Sequence, residues 1–246
     1  QQEKTDLRMV DIQAGGLHNA IPREASCVVA VPYAYKEQIR VDWNIYQANV
    51  EEEYNRTEQS MEFILESEEA PESVIDKKTS RNLILALQAV DNGIYAMCQD
   101  IDLVETSSNL ANIRKNPADH TIVVNSSQRS SILSARHNMA ATVRAAFELA
   151  GAEVQSGEGY PGWKMNPNSK LLVVAVDQYK KLYGKDPFVG GIHAGLECGL
   201  FSEKFPGMDM VSLGPTMRGV HSPDERMHIP SVQLVWDHLL AILANI

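Results

Sequence analysis

The run GEGYPGWKMNP at 157–167 is the strongest break in the chain. It holds three glycines, two prolines and two aromatic residues in eleven positions, a composition that punctuates helix or strand rather than continuing it. Upstream, helices are interleaved among strands that find partners close in sequence. Downstream, helix and strand alternate. The two sides predict different layers: an α+β domain over 1–160, an antiparallel sheet with helices on one face, and part of an α/β layer over 161–246. The second stretch is too short for a complete doubly wound domain. A length of 246 residues also fits two domains better than one.

Strands are expected at 8–12 and 25–31, on either side of the turn-rich AGGLHNAIPRE, and again at 60–65. A helix is expected at 36–55, where Ile39, Trp43, Tyr46 and Val50 recur at helical spacing. A second spans 80–90, with Thr79 or Ser80 as cap and Leu83, Leu87 and Val90 inward. Asn92-Gly93 marks a turn. Residues 104–113 and 121–126 read as paired strands. Ser134 caps a helix that turns Met139, Val143, Ala146 and Phe147 to a core and stops near Gly151, before a strand at 152–156. Past the break come a helix at 169–183, a strand at 188–192, a short helix from near Gly195, a strand at 210–213 and a terminal helix at 230–245. Val232, Val235, Trp236, Leu239 and Leu243 form the expected buried stripe of that last helix.

Hydrophobic residues make up 44% of the chain, enough for a real core. A net charge of −10 with no basic block excludes nucleic acid as a partner. Cys27, Cys98 and Cys198 are odd in number, widely spaced and without a CxxC, so they read as reduced thiols of a cytoplasmic protein. There is no signal peptide and no apolar run near the roughly 18 residues that a membrane span needs. The first residue is Gln1 rather than Met, which, with the undersized second domain, reads as a truncated or processed chain.

Chemistry gathers at 191–225, where histidines, carboxylates and glycines surround the expected strand at 210–213. His221 follows that strand and the turn Gly214-Pro215. An imidazole there could bind a metal with a carboxylate orienting its second nitrogen; the alternative is a surface histidine in an SPDE turn. His193 and Glu197 stand at i, i+4, the spacing of a metal pair on one helix face, yet Gly195 lies between them and a structural pair fits equally. Arg129 sits in the hydroxyl-rich run NSSQRSS. A guanidinium can grip a carboxylate there with two hydrogen bonds, or can simply be solvated. Asn19, by itself, reads as a turn amide.

Five motifs carry a resemblance: GGLHNAIPREA at 15–25, VETSSNLANI at 104–113, GYPGW at 159–163, HAGLECGLF at 193–201 and GPTMRGVHSPDE at 214–225. Together they resemble the bacterial aminoacyl-histidine dipeptidases of the M20 group of di-metal peptidases. The resemblance implies an α/β catalytic domain interrupted by an inserted lid, with 1–160 matching most of the lid and 161–246 the C-terminal part of the catalytic domain. It implies two zinc ions, of which His221 would be a ligand, and an upstream Glu as general base. Neither that Glu nor the family's HxD motif, bridging Asp or Glu-Glu pair is found in this sequence. Arg129 matches the lid arginine that holds the substrate's terminal carboxylate, Asn19 a lid asparagine near the substrate, and His193 and Gly195 a loop lining the cleft. Glu197 has no ligand role in the family, and His18 stands where relatives often carry Arg.

The activity so implied is hydrolysis of Xaa-His dipeptides by a homodimer, with this chain inactive alone. The alternative is a dimerisation or interaction module without catalysis.

Overall fold

A computed structural model describes residues 2–99, 101–116, 118–157, 159, 161–163, 166, 168–193, 196–220 and 224–246. The chain forms two compact units. The first gathers residues 1–89, 111–125 and 149–151, and the second residues 90–110, 126–148 and 152–246.

In the first unit a short helix α1 (Gln2–Thr5) leads into β1 (Arg8–Ala14), which returns as β2 (Ala25–Ala30). The two pair antiparallel from Arg8↔Ala30 to Ala14↔Ala25. Helix α2 (Lys36–Tyr54) follows as expected, but no residue on it is buried. Its Trp43 and Tyr46 pack with Phe63, at ring-centroid distances of 6.3 and 6.4 Å. The strand expected at 60–65 is absent, and the segment places its aromatic ring on α2 instead. Helix α3 (Lys77–Ala89) begins earlier than expected. Asp76, not Thr79 or Ser80, caps it, its Oδ1 accepting from the backbone N–H groups of Lys78 and Thr79, each at 3.0 Å. Ser80 is instead fully buried, and α3 packs on β1.

The sheet runs β2-β1-β4-β3, with β3 (Gly93–Met97), β4 (Val104–Lys115) and β5 (Ile122–Ser130) completing it; β5 pairs with β4. β4 takes part in both units. Its far end meets β1 at Ala14↔Ile113, and its near end meets β3 from Gly93↔Ser108 to Met97↔Val104, both antiparallel. The antiparallel sheet agrees with the α+β expectation. Only β3 was not anticipated, because Asn92-Gly93 reads as a plain turn although Gly93 opens the strand at φ +111°.

In the second unit, α4 (Leu133–Leu149) buries Met139, Val143 and Phe147 as its spacing requires. Ser134 lies inside the helix rather than at its cap, and just before the start Ser130 Oγ accepts from the Ile132 amide at 3.0 Å. The strand expected at 152–156 is absent. Arg144 binds that segment to α4 instead, through the Val154 carbonyl at 3.1 Å and Ser156 Oγ at 2.8 Å.

Helix α5 (Lys170–Tyr183) is capped by Ser169, which accepts from the Leu172 amide, and closes on left-handed Gly184. It packs against α7 (Pro230–Leu243). Tyr183 donates to the Leu234 carbonyl at 2.6 Å, and His238 Nε2 lies 2.8 Å from the Ala175 carbonyl. The stripe that α7 turns inward is rotated from the expected one: Ser231 and Ile242 are buried, while Val232, Trp236 and Leu243 are exposed.

The strands expected at 188–192 and 210–213 are also absent. An apolar run becomes a strand only beside another strand that accepts its ladder, and among the described residues neither run has one. Phe188 is 95% exposed. Between them lies α6 (Glu197–Lys204), and after them a small ribbon of β6 (Met217–Arg218) and β7 (Arg226–Met227).

Candidate functional site

The site is built from the backs of two paired strands. β4 and β5 are joined on one face by side-chain hydrogen bonds. Thr106 Oγ1 and Ser130 Oγ lie 2.9 Å apart and both are buried, and Gln128 Nε2 donates to Ser108 Oγ at 3.3 Å. Successive side chains alternate across a strand. The residues between these pairs, Ser107 and Arg129, therefore stand together on the opposite face. A hydroxyl-rich strand pair serves this arrangement well: its buried polar groups satisfy one another, so the strands are held in one register.

His193 lies across both. Its Nε2 is 2.6 Å from Ser107 Oγ, and its backbone carbonyl accepts from Arg129 Nη1 at 3.2 Å. All three residues are half-buried. Burial holds the His193 imidazole below its usual pKa, and the Arg129 charge pushes the same way, while a backbone hydrogen bond to Val104 works against both. The ring is thus kept neutral, beside a cation rather than a carboxylate.

Glycines bring the surrounding backbone this close. At Gly191 an added Cβ would press on the Leu103 side chain. At Gly162 it would sit 2.8 Å from the Ser130 carbonyl, and at Gly199, in α6, it would collide with the Pro161 carbonyl. The GYPGW and LECGLF motifs therefore touch through glycine backbone, next to the end of β5.

Of the residues expected at a site, Arg129 and His193 are brought together. Glu197 is exposed in the first turn of α6 and His193 lies before that helix, so the two do not share one helix face. Asn19 belongs to the first unit. It is half-buried in the loop between β1 and β2, where Gly15 N–H donates to the Glu24 carbonyl and Asn112 Nδ2 to the Gly16 carbonyl. Gly195 and His221 lie outside the described residues. Ser107 was not singled out from sequence. It sits inside VETSSNLANI, and a serine in a strand gives no signal of its partner.

Among the described residues no three His, Cys, Asp or Glu side chains converge as a metal ion would require. They do not by themselves fit a zinc site. Nor, among them, is any helix long and apolar enough to cross a membrane.

Comparison with known proteins places this arrangement in a lineage. The cytosol non-specific dipeptidase of Escherichia coli (strain K12) is 35% identical over 246 residues, which is 99% of this chain and 50% of that protein. The crystal structure of aminoacylhistidine dipeptidase from Vibrio alginolyticus superposes with a TM-score of 0.84 at 37% identity, covering 100% of this chain and 50% of that one. The aminopeptidase PepT of Bacillus cereus, at 20% identity and a TM-score of 0.50 over 66% of this chain and 44% of its own, shares the fold. The chain spans about half the length of the dipeptidases it matches. Residues 12–245 match the profile of peptidase family M20/M25/M40, and the chain belongs to that family.

Proposed function

We propose that the whole protein is a dipeptidase that reads the free C-terminal carboxylate of its substrate through Arg129. The observation that carries this reading is the guanidinium held by the His193 carbonyl on the β4–β5 face of an M20 chain. A guanidinium presents a planar fork that matches a carboxylate with two charge-assisted hydrogen bonds. Fixing one end of a peptide in this way limits the length that fits.

In this reading residues 1–160 form a lid-type domain and residues 161–246 the C-terminal part of the catalytic domain. Asn19 is a substrate-binding residue, as is Arg129, and His193 and Gly195 belong to a loop that lines the substrate cleft. His221 is a metal ligand, the metal is zinc, and the preferred substrates are Xaa-His dipeptides. These finer assignments rest on the shared motifs and on the family. The protein works as a cytoplasmic homodimer.

The test is substrate length. The whole enzyme should hydrolyse Gly-His and lose most of its activity on Gly-His-Gly, whose carboxylate is displaced by one residue. Equal turnover of both would dismiss carboxylate reading as the basis of specificity.

A further inference from the structure

We propose that Ser107 is a positioning residue: through its hydrogen bond to His193 Nε2 it fixes the backbone carbonyl on which the Arg129 guanidinium rests. The contacts form a closed path. Ser107 and Arg129 face the same way from paired strands, because their neighbours Thr106 and Ser108 bond to Ser130 and Gln128 on the other face. His193 spans the two, ring to Ser107 at 2.6 Å and carbonyl to Arg129 at 3.2 Å.

A hydroxyl can both donate and accept, so the Ser107–His193 bond forms with either tautomer of the imidazole. A ring held at Nε2 is restrained, and its own carbonyl with it.

Among the described residues, the run that leads into His193 is weakly held. The run 188–192 has no strand pairing, and Phe188, Val189 and Ile192 are exposed. Without Ser107 the carbonyl would be freer to move with this loop, and the contact it makes with the guanidinium would loosen. A two-point grip on a carboxylate depends on the plane of the guanidinium. Ser107 thus acts on recognition without touching substrate. Its importance for dipeptides rests on the proposed reading of Arg129; its hold on Arg129 does not.

The experiment uses nuclear magnetic resonance of the 246-residue chain with isotope-labelled histidine and arginine. In the unsubstituted chain the proton shared by Ser107 and His193 should be observable and correlated with His193 Nε2. Ser107→Ala should shift the His193 ring nitrogens and the Arg129 Nε–H signal and speed exchange of that proton several-fold. Ser107→Thr, which keeps the hydroxyl on a side chain suited to a strand, should restore all three.

Absence of that correlation, or an Arg129 signal unmoved by Ser107→Ala, would overturn the proposal; the first of these needs no substituted chain to fold. Adding Gly-His or its C-terminal amide to the whole enzyme separates the two claims. A response of Arg129 to Gly-His and not to the amide supports both. With the Ser107 effects intact and the same response to both ligands, the positioning stands and the carboxylate reading falls.

Discussion

His193 is held by two unlike parts of itself, its ring and its carbonyl, and that shapes how the site responds to pH. Burial and the Arg129 charge keep its folded pKa below the ordinary value of 6.5. The unfolded chain therefore takes up a proton at higher pH than the folded one. The stability this residue contributes is present above 6.5 and is lost as pH falls through the lower, folded value. The carboxylates of Asp76, Asp119 and Asp209 are also lowered, by hydrogen bonds they accept, but they act below 3.8 and so in a separate window. Urea unfolding at pH values just below 6.5 should show a falling midpoint, and Arg129→Gln should flatten that fall. An unchanged slope in the variant would mean that the arginine does not act on the ring. From the sequence, Arg129 and His193 were both legible as candidates, the first by its hydroxyl-rich setting and the second by its i, i+4 spacing from Glu197 and by the family resemblance. Their partner Ser107 was not, because a contact between residues 107 and 193 has no periodicity to betray it.

Among the elements, spacing located the helices better than the strands. α4 and α5 run as their apolar period dictates, since a helix closes its own backbone hydrogen bonds and needs only a face to bury. Caps were less legible: Asp76 stands where Thr79 or Ser80 was expected, and Ser134 lies inside α4 rather than at its cap, because several hydroxyl or carboxylate residues cluster at each start. Ser169, expected as the first residue of its helix, is instead its cap, and it is buried. Ser169→Ala should cost about 1 kcal/mol of stability, with Ser169→Thr recovering most of it. The unfolding transition of the α5–α7 pair reports this, and an unaltered transition would mean that Asp209, which accepts from Leu171 at 2.9 Å, caps α5 unaided. The failed strands at 60–65, 152–156, 188–192 and 210–213 share one cause. A strand is completed by its neighbour, and local composition cannot say whether the neighbour exists.

For the whole molecule, those unpaired runs predict where the chain opens first. Amides at 188–192 and 210–213 should exchange with solvent rapidly, while those of β4 and α4 should be protected, as ladder and helix bonds in buried elements are. Slow exchange at 188–192 would show a pairing that the fold does not contain. The chain also spans about half of each dipeptidase it matches, and its described residues hold no metal-binding cluster. The 246-residue chain alone should therefore fail to hydrolyse Gly-His with zinc supplied. Turnover that survives purification and is lost in His221→Ala would contradict this.

The most direct measurement of the central claim compares Gly-His with its C-terminal amide in the whole enzyme, before and after Arg129→Ala. Losing a charge-assisted hydrogen-bond pair costs about 1.5–3 kcal/mol. kcat/KM for the free dipeptide should then fall roughly ten- to hundredfold, while the amide, which offers no carboxylate, changes little. An equal fall on both substrates would show that Arg129 does not read the carboxylate.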